Sequence, residues 1–125
     1  MNIRIIQSRV TGLNIHREEF IDDENNLELN YSASDMPESP NNYSISFNIK
    51  LKHKMGFSYE VEYESIFETD NAIDEEFMNS HFVSVNSPAI AYPFIRAYMA
   101  NLMLSSGHDP IMLPTINFTR FKNNK

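Results

Sequence analysis

The chain has 125 residues, 42% apolar and 22% charged, which suits one folded domain and is too apolar for a disordered one. It contains no cysteine, so a disulfide framework, a thiolate metal site and a cysteine nucleophile are all excluded. The net charge of −7 is unevenly spread: sixteen of the seventeen acids lie between Glu18 and Glu76, opposed there only by Lys50, Lys52 and Lys54, and the rest of the chain is basic. An acidic middle argues against nucleic acid, whose phosphates require a basic stripe.

The first residues, Met1-Asn2-Ile3-Arg4-Ile5-Ile6-Gln7, lack the apolar run and small-residue cleavage site of a signal peptide. Residues 1–16 read as a first strand whose apolar phase slips. Ile3 and Ile5 give way to Ile6, Ser8 and Val10, and then to Leu13 and Ile15. Each slip flips the buried face, so one or two bulges are expected, with Gly12 well placed for one. Residues 17–26 are acidic and polar around an isolated apolar pair, Phe20-Ile21, and read as a crossover loop. Residues 27–70 hold the remaining strands. Leu27, Leu29, Tyr31 and Ala33 alternate with polar residues; a linker with Pro37 and Pro40 follows.

The alternation from Tyr43 to Met55, and again from Phe57 to Tyr63, predicts a hairpin turning near Gly56. Paired residues share a face and both apolar sets are odd-numbered. That parity forbids a two-residue turn. A three-residue turn at Met55-Gly56-Phe57 pairs Lys54 with Ser58, Lys52 with Glu60 and Lys50 with Glu62. Residues 70–78 read as a short helical turn.

A main helix is expected over residues 88–106, with Ser87 as N-cap, Pro88 in its first turn and Gly107 as its stop. Pro93 removes a donor and meets the carbonyl of Ala89, so the helix either kinks there or begins there. Ile95, Tyr98, Met99, Leu102 and Met103 cover more than one face of it, which predicts burial on two sides. One sheet covers only one side; Ile95, Tyr98, Met99 and Leu102 are therefore expected at a contact with another subunit. The apolar-rich stretch from Pro88 to Leu104 is 17 residues, interrupted by Pro93, Arg96 and Asn101, and is too short and polar to span a bilayer. A cytoplasmic protein without membrane insertion is the expectation. Residues 107–125 form a short C-terminal element.

No catalytic or cofactor constellation assembles. The four histidines, His16, His53, His81 and His108, lack metal-pair spacing, and His53 on the apolar face of a strand end reads as structural. The run Asp22-Asp23-Glu24-Asn25-Asn26-Leu27-Glu28 has Leu27 where a calcium loop turns on glycine. Three glycines cannot build a phosphate loop. The row Glu60, Glu62 and Glu64 reads as a solvated strand face. No metal and no enzyme activity are expected. Nine phenylalanines, six tyrosines and seven methionines exceed what a core this small requires, and such side chains suit promiscuous apolar binding.

The run Asn86-Ser87-Pro88-Ala89-Ile90-Ala91-Tyr92-Pro93-Phe94-Ile95-Arg96, then Gly107, Pro110, Leu113-Pro114 and Ile116-Asn117-Phe118, resembles the SecB family of export chaperones. The hairpin and the Ile66-Phe67 pair at its far end fit the same pattern. The likeness is specific from about Tyr43 to Phe121. It implies an α+β fold: a four-stranded antiparallel sheet, a long helix starting near Tyr92, and a short C-terminal element. It implies a dimer of dimers with first strands pairing and helices at the subunit interface. It also implies ATP-independent holding of unfolded polypeptides in apolar grooves, linked to protein export. By position in the family, Phe20, Ile21, Phe57, Phe118 and Phe121 are the client-binding residues and Glu60 an acid of the surface that docks on the SecA motor. Gly12 and His16 stand where two other docking acids are aligned, and the chain ends on a basic segment. Both departures count against SecA as a partner. They favour the alternative of a dedicated chaperone or adaptor for one partner, such as a toxin–antitoxin pair.

Overall fold

The computed structural model describes residues 2–18 and 24–121. Four strands, β1 (Ile3–Arg17), β2 (Asn26–Asp35), β3 (Asn42–His53) and β4 (Phe57–Thr69), form one antiparallel sheet in the order β1-β4-β3-β2. A short helix α1 (Glu75–Met78), a π-helical turn (Phe82–Asn86) and a long helix α2 (Ser87–Ser105) follow. The chain then returns without regular structure to Phe121. This is the α+β architecture expected.

The alternation works as read. On β3 and β4 the odd residues are buried beneath α2, with Tyr43, Ile45, Tyr59 and Phe67 fully so, while Ser46, Asn48, Lys50 and Glu60 face solvent. The register corrects the expected hairpin by two residues. His53 pairs with Phe57, so the loop is Lys54-Met55-Gly56, and Lys50 faces Glu60 while Lys52 faces Ser58. The reason is the backbone of Gly56, whose φ is +93°. In a three-residue hairpin loop the last residue takes the left-handed conformation, and glycine must sit there. The Gly56 N–H bonds the His53 carbonyl at 2.9 Å and closes the turn.

Strand β1 carries the two predicted bulges, at Ile6 and Thr11, where its register against β4 shifts. They keep Ile3, Ile5, Val10, Leu13 and Ile15 on one face, since these pair with Thr69, Phe67, Tyr63, Val61 and Tyr59. Gly12 opposes Glu62, whose carboxylate lies where a side chain at Gly12 would go, with Oε2 2.8 Å from that position.

Helix α2 starts upstream of Pro93 and runs through it, which corrects the start near Tyr92. Ser87 does not act as an N-cap either. The π-helical turn already precedes it, its own backbone is helical, and its hydroxyl donates to the Phe82 carbonyl at 2.6 Å. Pro88 has no N–H to offer the carbonyl of Ser84, and the Tyr31 hydroxyl donates to that carbonyl at 2.7 Å instead. Gly107 ends the helix as expected, with φ +87° and the paired bonds Gly107 N–H to Leu104 and His108 N–H to Met103.

Candidate client-binding surface

Helix α2 is buried along Pro88, Ala91, Tyr92, Ile95, Met99 and Met103, a spacing of three and four that faces the sheet. Ile95 and Met99 have no exposed surface at all. That corrects their expected place at a contact with another subunit: the helical period turns them into the core of their own chain. Tyr98 and Leu102 lie half-buried at the flank, with the Tyr98 ring 5.9 Å from that of Tyr63. The opposite face exposes Ile90, Phe94 and Leu104.

Helix α2 approaches both β4 and β1, and Ile3 and Ile5 at the start of β1 are partly buried against the core, but farther along this edge strand the helix-side face is open. Val10, Leu13 and Ile15 are exposed there, and Ile6 at the first bulge. Their alternation was plain in the sequence, but it reports only which residues share a face. Whether that face is covered depends on where α2 crosses.

On the other flank the C-terminal segment runs back beside α2 and packs over β2. The Tyr92 hydroxyl donates to the Pro114 carbonyl at 2.6 Å. Phe118 is buried and meets Tyr31 and Tyr92 edge-on, each at 5.6 Å between centroids. Phe121, half-buried, stacks on Tyr31 at 5.6 Å, and Tyr31 in turn sits 5.8 Å from Phe47. Two predicted client residues, Phe118 and Phe121, thus belong to one aromatic cluster with Tyr31, Phe47 and Tyr92. Burial holds the hydroxyls of Tyr31 and Tyr92 above the ordinary tyrosine range, since a phenolate there would lose its hydration.

Phe57 stands apart from that cluster, at the tip of the β3–β4 hairpin. Its ring stacks on His108 with centroids 3.8 Å apart. His108 also bonds the Tyr59 hydroxyl through Nδ1. His53 is buried, with Nε2 2.9 Å from the Asp109 carbonyl and Nδ1 accepting from Met55 N–H at 3.0 Å. Since Nδ1 accepts, Nε2 carries the proton. This side chain ties the hairpin to the start of the C-terminal segment, the structural role expected for it. Phe20 and Ile21 lie outside the described residues. The nearest described anchor of their loop is Glu18, whose carboxylate accepts from the Ser58 hydroxyl and whose N–H bonds the Gly56 carbonyl at 2.8 Å. The Ser58 bond, with His16 and Lys52 nearby, holds that carboxyl below its usual range.

Glu60 sits on the outer face with Glu62 and Glu64. Among the described residues only Glu64 of the three is in an ion pair, 2.8 Å from Arg9. Glu62 faces Asn48 on one side and Gly12 on the other. No group of three acids or histidines among the described residues is placed to hold a metal ion, and no described helix is long and apolar enough to cross a membrane.

Residues 14–125 match the family described as preprotein translocase subunit SecB. The chain belongs to the SecB family. Among its relatives is a protein-export protein SecB of Rhodopseudomonas palustris (strain BisB5), 28% identical over 98 residues that cover 74% of this chain and 59% of the relative. The corresponding protein of Nitrobacter winogradskyi is 32% identical over 98 residues, covering 74% of this chain and 58% of the relative. The chain therefore spans about three-fifths of the length of these SecB proteins. A SecB-like chaperone of Mycobacterium tuberculosis, Rv1957, solved with a ChAD peptide from the Rv1956 HigA1 antitoxin, shares the fold. Its TM-score is 0.71 at 16% identity, covering 91% of this chain and 87% of that one.

Proposed function

We propose that this SecB-family chain is an ATP-independent holdase. It binds unfolded or non-native polypeptides, needs no cofactor, performs no enzymatic reaction and works in the cytoplasm in connection with protein export. Family membership carries this reading. The open apolar residues of β1, Val10, Leu13 and Ile15, support it, because a holdase needs apolar surface without strict sequence demand. Phe57, Phe118 and Phe121, with Phe20 and Ile21 on the crossover loop, are the proposed client contacts. Self-association as a dimer of dimers belongs to the same proposal. The exposed residues Ile90 and Phe94 of α2, flanked by Tyr98 and Leu102, and the free edge of β1 are the surfaces that suit it. The decisive test is aggregation of a reduced, denatured client with and without the purified protein. Suppression is expected at one tetramer equivalent per client, and its absence at that ratio refutes the reading.

A second reading is favoured by one observation. The Mycobacterium tuberculosis neighbour is in complex with an antitoxin peptide, which suits a chaperone dedicated to one partner in a toxin–antitoxin pair. Capture of one protein from lysate rather than many supports it. Docking on SecA through Glu60 is the weakest element, since Gly12 and His16 carry no negative charge at the aligned positions. Loss of SecA binding in Glu60→Lys would support that docking, and no binding by the unaltered protein would end it.

A further inference from the structure

We propose that the cleft between the outer side of α2 and residues 110–113 binds a polypeptide segment carrying a carboxylate beside an apolar side chain, with Arg96 as the group that selects the carboxylate. This rests on the client-binding reading above and deepens it, since it states which segments the chain prefers.

The cleft follows from the sequence of α2. Pro93, Arg96, Ala97 and Ala100 recur at three and four residues and share one side of the helix. Two alanines and a proline leave space there that longer side chains would fill. The chain after Gly107 runs back past this side, and a cavity of about 390 Å³ stays open between the two. Its other wall is Pro110 to Leu113, with Leu113 buried and Met112 82% exposed, so the wall reaches from the core to solvent. Binding pockets run from about 300 to 1,000 Å³, so this one takes one or two side chains rather than a long stretch.

Arg96 is the one charged side chain among apolar walls. It is also the only Asp, Glu, Lys or Arg between Glu76 and Asp109. It is half-buried, and its guanidinium lies over the Tyr92 ring, 6.0 Å from the centroid. That ring is itself held, by the bond of its hydroxyl to Pro114 and by the edge contact with Phe118. The guanidinium is thus positioned before a ligand arrives. Among the described residues no ion pair uses it. A half-buried cation has given up part of its hydration, and a carboxylate replaces it well, because two parallel N–H groups meet both oxygens at once. A phosphate asks for more donors. No second cation lines the cavity, and Pro93 and Pro110 bring no N–H. The charge of the whole chain agrees. Glu60, Glu62 and Glu64 crowd the outer face of the sheet, whereas the stretch from Phe77 to Phe121 holds two cations, Arg96 and Arg120, and one acid, Asp109. An acidic segment is therefore repelled by the outer face and received on the helix side.

The experiment follows the methyl groups of the full chain by NMR while two capped peptides are added, acetyl-Ala-Leu-Leu-Glu-Leu-Ala-amide and its glutamine counterpart. The glutamate peptide is expected to shift the methyls of Ala97, Ala100, Ile111 and Met112 and to bind about 3- to 10-fold more tightly than the glutamine peptide. That comparison uses the unaltered protein and needs no variant. Arg96→Gln is expected to bring the two peptides to equal affinity, and Arg96→Glu to prefer a lysine peptide; circular dichroism and light scattering check the fold and assembly of both. Equal binding of the two peptides by the unaltered protein overturns the proposal, and so does a preference that survives in Arg96→Gln. Loss of assembly in Arg96→Gln also overturns it, because Arg96 then serves a second copy of the chain. Shifts confined to Leu13 and Ile15 of β1, or no peptide binding while reduced and carboxymethylated α-lactalbumin still binds, overturn this site and leave the holdase reading standing. Binding of neither the peptides nor α-lactalbumin removes both.

Discussion

Met99 and Phe94 lie five residues apart on α2, and their truncations are expected to fail in different ways. Met99 is fully buried against the sheet. Met99→Ala removes three heavy atoms from a closed core and leaves a cavity, at a cost of about 2–5 kcal/mol. A loss of about 3 kcal/mol raises the unfolded-to-folded ratio about 150-fold, a large part of the roughly 5–15 kcal/mol a domain has in total. Phe94 is 51% exposed, so Phe94→Ala is expected to leave the isolated subunit within about 0.5 kcal/mol of the starting protein. If α2 also contacts a second subunit, that contact adds stability that depends on protein concentration, and Phe94→Ala removes it. Urea unfolding at several protein concentrations separates the two. Met99→Ala lowers the midpoint at every concentration; Phe94→Ala flattens the dependence on concentration. A cost under about 1 kcal/mol for Met99→Ala would refute the assignment of this face to the core.

Gly56→Ala forces a left-handed backbone on a residue with a Cβ, and a loss of about 1–2 kcal/mol in thermal unfolding is expected; no loss would remove the basis for the corrected hairpin register. Tyr31→Phe withdraws the hydroxyl that serves the Ser84 carbonyl left free by Pro88, with an expected loss of about 1 kcal/mol by urea unfolding. Glu18 is held below the usual carboxylate range, so its contribution to stability is present above that range and is lost as pH falls through its lower folded value. The carboxyl carbon of Glu18, followed by NMR, is expected to titrate at higher pH in Ser58→Ala than in the unaltered protein, and identical curves would exclude the Ser58 bond as the cause.

Strands were legible because alternation is a local property. The two slips of phase in β1 located both bulges, and parity located the buried faces of β3 and β4. Parity leaves register free to move by two, and only the left-handed requirement at Gly56 removes that freedom. Glycine suits the left-handed last position of a three-residue loop, and that requirement, rather than the charge pairs, selects Lys54-Met55-Gly56. Helix α2 is less legible, for a different reason. The sequence shows apolar residues nearly all round, but not which of them the sheet takes. Ile95 and Met99 went to the core and Phe94 to the surface because the sheet meets the helix on one line of contacts. The joining of Phe118 and Phe121 to Tyr31 spans most of the chain, and no local signal reports it.

The register shift of two residues also alters the charge on the outer face. With Lys50 opposite Glu60 and Lys52 opposite Ser58, Glu62 loses its expected lysine and faces Asn48 instead. On its other side is Gly12, which brings no charge and leaves room for the carboxylate to lie flat. Among the described residues Arg9 pairs with Glu64 and with neither Glu60 nor Glu62. The outer face is thus more acidic around Glu60 and Glu62 than the expected pairing implied, while the helix side of the same sheet carries the open apolar residues of β1. A sheet whose faces alternate residue by residue separates these properties by about the thickness of one strand. Like charge on the outer face keeps particles apart in solution, so apolar surface on the other face need not lead to aggregation. That separation is what a binder of non-native chains requires.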